Sequence, residues 1–189
     1  MDPADLPAVP WRNGAGTTRA LRHDPAAGWR VSVAAVPGPA PWSPMPGTHR
    51  WSCVVAGEGL DLVVDGRAVA APPATVVSHP GDVAVHGRPR AGPVANLNLV
   101  LRRGGGTGRM RVRTAGTRLA WDGGAVALWV LAGDLCVDGA AVGPGRVLLP
   151  EGEGVVATVG GGSCVVVEVA VRAPGPVEEQ PDVRTGGRR

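Results

Sequence analysis

An internal repeat constrains this chain more than any other feature. Val54-Val55-Ala56-Gly57, followed by Leu62-Val63-Val64-Asp65-Gly66, returns as Val130-Leu131-Ala132-Gly133, followed by Leu135-Cys136-Val137-Asp138-Gly139. In both copies an apolar run meets a glycine turn and a second run follows. Asp-Gly then supplies the two positive-φ positions of a tight hairpin. A further turn, His79-Pro80-Gly81-Asp82 or Gly143-Pro144-Gly145-Arg146, precedes the next run. A chain of 189 residues that carries two such copies fits two small fused halves sharing a core.

The runs themselves have strand character. Trp29–Val36, Trp51–Val55, Leu60–Val64, Ala74–Val77, Val94–Leu101, Ala125–Leu131, Arg146–Leu149 and Cys164–Val171 are short, rich in valine or leucine, and separated by turn residues. No longer segment keeps helical apolar spacing without a glycine or proline, and Thr17–Leu21 is too short to count. The fold class expected is all-β with little helix. The 30 glycines and 19 prolines alone would suit a disordered chain, but the valine runs between them argue for a packed β protein. Arg103–Arg113, with Gly104-Gly105-Gly106, reads as an exposed connector. This divides the chain into a first half over 1–103, a linker over 104–113, a second half over 114–172 and a disordered tail over 173–189.

Composition removes several chemistries. The chain has no lysine, so all 19 basic residues are arginine, and it has no tyrosine. Schiff-base catalysis and tyrosine acid–base chemistry are thereby excluded. The net charge of +3 is small, and Arg172, Arg184, Arg188 and Arg189 contribute to it from the end of the chain. A clustered basic face for nucleic acid is not expected. Cys53, Cys136 and Cys164 are far apart and embedded in apolar runs, as buried free thiols in a reducing compartment are. Met1–Val9 lacks a leader pattern, and no run reaches the roughly 18 apolar residues of a membrane span. The expectation is a cytoplasmic protein without membrane contact.

The order of strand, turn, strand, Asp-Gly, strand and Pro/Gly turn resembles a cupin jelly roll, and its duplication resembles a double, or bicupin, barrel. Pro10-Trp11-Arg12-Asn13-Gly14-Ala15-Gly16-Thr17-Thr18-Arg19 is similar to the opening signature of the HutD/Ves family, with Ala15 in place of its middle glycine. The likeness continues through Trp29-Arg30-Val31-Ser32-Val33-Ala34, Trp42-Ser43 and Pro46-Gly47-Thr48-His49-Arg50. It ends at Gly92-Pro93-Val94-Ala95-Asn96-Leu97-Asn98-Leu99-Val100, where Asn96 stands at the family's usual acid. The resemblance implies a bicupin fold and a part in bacterial histidine utilisation, in which a pathway intermediate is bound and restrained rather than converted.

Asn13, Asn96 and Asn98 are the chain's three asparagines, and all lie in these motifs. On a strand Asn96 and Asn98 share one face while Leu97, Leu99 and Leu101 share the other. Two carboxamides on one face suit an amide- or carboxylate-bearing ligand, and they equally suit satisfying neighbouring backbone. Arg19 and Arg50 each close a motif and could grip a carboxylate in two-point fashion. Trp11 and Trp42 serve either as pocket wall or as core. The candidate ligand set is therefore Trp11, Asn13, Arg19, Arg50, Asn96 and Asn98, with no catalytic residue and no cofactor assigned.

A metal cupin would need clustered histidines and a glutamate. Here His49 is followed two residues on by Trp51, and only a degenerate set of His49, His79 and His86 is available. No histidine follows His86, and no nucleophile elbow occurs. Three functions stay open on these grounds. The leading one is a binding protein for a small acidic or amide-bearing metabolite such as formylglutamate. The others are a cupin isomerase, oxygenase or lyase acting on a small polar substrate, and a scaffold joined as a homodimer through strand edges.

Overall fold

The computed structural model describes residues 1–174, and the expected tail beyond Pro174 lies outside the described residues. The first half contains β1 (Val9–Pro10), β2 (Thr17–Asp24), β3 (Trp29–Val36), β4 (Ala40–Pro41), β5 (Thr48–Ala56), β6 (Leu60–Val64), β7 (Arg67–Ala71), β8 (Val76–Pro80), β9 (Val85–Pro89) and β10 (Val94–Arg102). The second contains β11 (Thr107–Ala115), β12 (Arg118–Trp121), β13 (Ala125–Ala132), β14 (Leu135–Val137), β15 (Ala140–Val142), β16 (Val147–Leu148), β17 (Gly154–Thr158) and β18 (Cys164–Arg172). Two single 3-10 turns, Pro3–Asp5 and Val159–Gly161, complete the described elements, and none is long and apolar enough to cross a membrane.

The repeat in sequence is a repeat in topology. In the first half a sheet ordered β1-β2-β3-β10-β5-β8 faces one ordered β4-β9-β6-β7. In the second, β11-β18-β13-β16 faces β12-β17-β14-β15. Adding eight to each strand number from β3 to β10 converts the first order into the second, with β1 and β2 as an extension of the first half. Both Asp-Gly hairpins form as the sequence requires, with Asp65 and Gly66 at φ 49° and 75° and Asp138 and Gly139 at φ 51° and 78°.

Alternation along the strands sorts side chains into three cores. Ala34, Val36, Trp42, Val54, Leu60 and Leu62 fill the interior of the first half. Leu119, Leu128, Val130, Leu135 and Val166 fill that of the second. The third core lies between the halves, where Val31, Val33, Cys53, Leu97, Leu99 and Leu101 meet Met110, Trp129, Val167, Val169 and Val171. The β1-β2-β3-β10-β5-β8 and β11-β18-β13-β16 sheets thus carry apolar side chains on both faces and pack back to back. The N-terminus straps this joint: the Met1 ammonium donates to the Val147 carbonyl at 2.8 Å, and Asp2 pairs with Arg146 at 2.7 Å.

One expectation about organisation is corrected. Most of the segment read as an exposed linker is β11, whose nine residues pair with β18 from Thr107↔Arg172 to Ala115↔Cys164. The connector shrinks to the turn at 103–106. The arginines at 109, 111 and 113 alternate with Met110 and Val112, the pattern of a strand with one apolar face. Thr17–Leu21, too short for a helix, is instead part of strand β2.

Candidate functional site

Register decides which polar residues enter the first half's interior. β10 lies between β3 and β5, and Asn98 stands opposite both Ser32 and Ser52 while Asn96 stands opposite Ala34 and Val54. Two residues further along the same face of β5 comes Arg50, opposite His79 of β8. Arg30 of β3 occupies the corresponding exposed end of that face. Ser32, Arg50, Ser52, His79, Asn96 and Asn98 are all buried. A stripe of polar groups therefore runs through an otherwise apolar interior.

The two asparagines bind mainly to each other. Asn96 Nδ2 donates to Asn98 Oδ1 at 3.0 Å, and Asn98 Nδ2 donates to the Asn96 carbonyl at 2.8 Å. This fixes both carboxamides. Arg50 is anchored through Nη1 to the Ser43 carbonyl at 3.2 Å, and its guanidinium carbon sits 5.3 Å from the centre of the Trp42 ring. It has no carboxylate partner among the described residues. Burial, with the nearby Arg30 charge adding to it, holds the Arg50 pKa down to about 10.

Two further polar atoms close on this cation without partners. His79 Nδ1 lies 2.8 Å from the Pro80 carbonyl. A carbonyl can only accept, so Nδ1 carries the proton and Nε2 keeps a bare lone pair. That Nε2 and the Trp42 indole N–H are buried with no hydrogen-bond partner among the described residues. The Trp42 and His79 ring centres are 6.3 Å apart. Burial lowers the His79 pKa, and the Arg50 charge lowers it further against the opposing effect of the Pro80 carbonyl. The indole reaches its place because residue 87 is glycine, where a Cβ would come within 2.8 Å of Trp42 Nε1.

The residues expected from sequence divide between two places. Arg50, Asn96 and Asn98 come together, and Trp11 packs against the same interior core while donating to Thr18 Oγ1 at 2.8 Å. Asn13 is exposed; its Oδ1 accepts from the Ala15 amide, and its Nδ2 donates to the Pro41 carbonyl, both at 3.1 Å. It holds the signature loop against the strand that leads into Trp42. Arg19 is corrected. It stands opposite Val33, on the face turned toward the second half, and its Nε donates to the Leu6 carbonyl at 3.0 Å.

The three candidate metal histidines point in three directions. His49 lies on the opposite face of β5, against Trp51 at 4.4 Å between ring centres, His79 is interior, and His86 is exposed. Ser32, Ser52 and the part played by His79 were not foreseen. The polar alternation of Arg50 and Ser52 within an apolar strand was a readable signal for one of them. Two open clefts of about 320 and 450 Å³ lie elsewhere, around Arg172 in the second half. At the polar stripe Trp42 lies against Arg50 and His79, in the core that also holds Leu60 and Leu62.

The sequence model of the HutD family matches residues 3–170. Over 68 residues the chain is 35% identical to an uncharacterized 21.2 kDa protein in the hutC 3' region of Pseudomonas putida, a match covering 33% of this chain and only 36% of that relative's length. A conserved protein of unknown function from Pseudomonas aeruginosa PAO1 superposes with a TM-score of 0.74 at 24% identity, over 93% of this chain and 98% of that one. HutD from Pseudomonas fluorescens SBW25 (formate condition) gives 0.70 at 25% identity, over 90% and 96%. A cupin 2 conserved barrel domain protein from Leptotrichia buccalis, 10% identical, shares the fold at 0.64 over 87% and 92%. The duplicated jelly roll is a cupin architecture, and because the family match runs from Pro3 to Ala170 within β18, this chain belongs to the HutD family.

Proposed function

We propose that this chain is a small-molecule-binding protein of histidine utilisation, and that its first half takes an acidic, amide-bearing metabolite such as formylglutamate. One observation carries the reading: Arg50 is a buried cation with no carboxylate among the described residues. Burying an unpaired charge is costly, and such groups are normally paired or held for a ligand. A ligand carboxylate would supply the missing anion to Arg50 and accept from the idle Trp42 N–H. An amide N–H would satisfy the bare Nε2 of His79. The fixed Asn96–Asn98 pair and the hydroxyls of Ser32 and Ser52 would line the other side.

Family membership and the hutC neighbourhood of the P. putida relative support the pathway assignment. The test is calorimetric titration of metal-stripped protein with formylglutamate and with urocanate, beside an Arg50→Ala variant. Saturable binding that weakens about tenfold or more in the variant is expected, as for loss of a charge-assisted hydrogen bond. Binding unaffected by the substitution would overturn the site. Binding that appears only with added iron or manganese, followed by turnover, would replace the reading with an enzyme.

A further inference from the structure

Superposing the two halves by their registers leads to a second polar interior. Val54 and Val130 are matching residues of the repeat, and they pair with Asn96 and Val166 respectively. Two residues on, Asn98 of the first half therefore corresponds to Glu168 of the second. By the same count Ser32 corresponds to Arg111, and Arg30 to Arg109.

Among the described residues Glu168 is the one buried carboxylate, with 3% of its side chain exposed. Three arginines of β11 converge on it. Arg111 Nε and Nη2 lie 2.8 and 2.7 Å from Oε1, Arg109 Nη2 lies 3.6 Å from Oε1, and Arg113 bonds Oε2. Arg113 also donates to the Ala120 carbonyl at 2.7 Å. The arginines keep 50%, 43% and 27% of their side chains exposed in the order 109, 111, 113, so the cluster opens to solvent at the Arg109 end. Three guanidinium charges meet one carboxylate, and most of their N–H donors have no acceptor among the described residues. Trp121, packed against the same core, buries its indole N–H without an acceptor.

That open end is a cleft. Thr107, Gly108, Arg109, Ala170 and Arg172 enclose about 320 Å³, and four of the five lie on the face of the sheet that carries Glu168. The fifth, Gly108, presents no side chain. Arg172 on the far wall is paired with Asp122 at 2.6 Å, so it adds donors to the wall without changing the balance of charge.

We propose that this cleft is a binding site for a small oxyanion carrying two negative charges, a phosphate or a dicarboxylate. Glu168 is a positioning residue that holds Arg111 and Arg113 in place, and Arg109 and Arg172 touch the ligand. The dianion matches the two positive charges that Glu168 leaves uncompensated. The site is separate from the one proposed for the first half and does not depend on it.

The test is titration of the full chain, carrying Arg50→Met to silence the first half, with inorganic phosphate and with succinate at low ionic strength. Saturable binding of either probe is expected, weakening as salt is raised and falling about tenfold or more in Arg109→Gln and in Arg172→Gln. Both are half-exposed or more, so these variants should fold, and whichever probe binds more tightly names the ligand chemistry. Absence of binding by both probes, or binding equal in the parent and in both variants, would overturn the site. Binding present in the native chain and abolished by Arg50→Met would assign the probe to the first half instead, and would equally overturn it.

Discussion

Replacing Arg50 with methionine should make the ligand-free protein slightly more stable while abolishing formylglutamate binding. The arithmetic starts from the pKa, which burial lowers from the ordinary arginine value to about 10. At about 1.4 kcal/mol for each tenfold change, this means roughly 3 kcal/mol set against the charged form in the folded state. The folded value lies below the unfolded one, so the unfolded chain holds the proton more tightly. The penalty is accordingly present in full below pH 10 and is relieved only as pH rises above 10 toward the ordinary arginine value. Methionine removes it at every pH. Against that gain stand the hydrogen bond to the Ser43 carbonyl and the contact with Trp42, each about 1 kcal/mol. The net is a gain of about 1 kcal/mol, equivalent to a rise of roughly 2–4 °C in Tm for a chain of this size. Thermal unfolding followed by circular dichroism, paired with calorimetric titration, measures both halves of the trade. A Tm several degrees below the parent in the absence of ligand would refute the reasoning, because it would mean that Arg50 already has a stabilising partner inside the protein.

Two other outcomes follow from the same geometry. His79 titrates below its ordinary value because it is buried, so the unfolded chain takes up its proton first; stability should be intact above pH 6.5 and decline as pH falls below it, and His79→Gln should flatten that decline in Tm. Asp61 and Asp122, both held low, act only at still lower pH, whereas His49, lowered by burial and by the Arg103 charge, shares the window, so His79→Gln should reduce the decline without removing it. Gly133→Ala, at φ 71° with its new Cβ 2.3 Å from the Ser163 carbonyl oxygen, should cost more than about 2 kcal/mol in urea unfolding. Gly139→Ala, at φ 78° but facing open space, should cost only about 1 kcal/mol, which separates the close approach from the backbone conformation.

Much of the fold was legible because its signals are local. Turn chemistry at Asp65-Gly66 and Asp138-Gly139 depends on two adjacent residues, and strand alternation in Val94–Arg102 depends on one segment, so both appear in the structure as read. The duplication was legible for the same reason. What failed required knowing a partner strand. Arg19 closes a motif in sequence, yet it sits one residue out of phase with Thr18, whose partner Ala34 is interior, and so faces the other way. His79 looked like a loop residue beside Pro80-Gly81. Only pairing with β5 turns it toward Arg50. The β11 arginines were masked by the glycines before them, and Glu168, an acid inside the apolar run Cys164–Val171, was the unread sign that cations would be found opposite.

The divergence of the two halves at one matched position shows how a duplicated fold can present two unlike polar interiors. At the shared place on β10 and β18, the first half has a neutral carboxamide, Asn98, and the second a carboxylate, Glu168. Backbone register and burial are the same, so the side-chain charge alone sets what each interior lacks. In the first half a single buried cation faces neutral amides and hydroxyls, and its electrostatic deficit is one negative charge. In the second the carboxylate is built in, and the cations have multiplied on the strand opposite until they exceed it. An internal acid in the first half would satisfy Arg50 permanently and remove the reason for a ligand to enter. Asn98, bonded to Asn96 beside it, leaves that cation without an internal carboxylate, as the proposed ligand site requires.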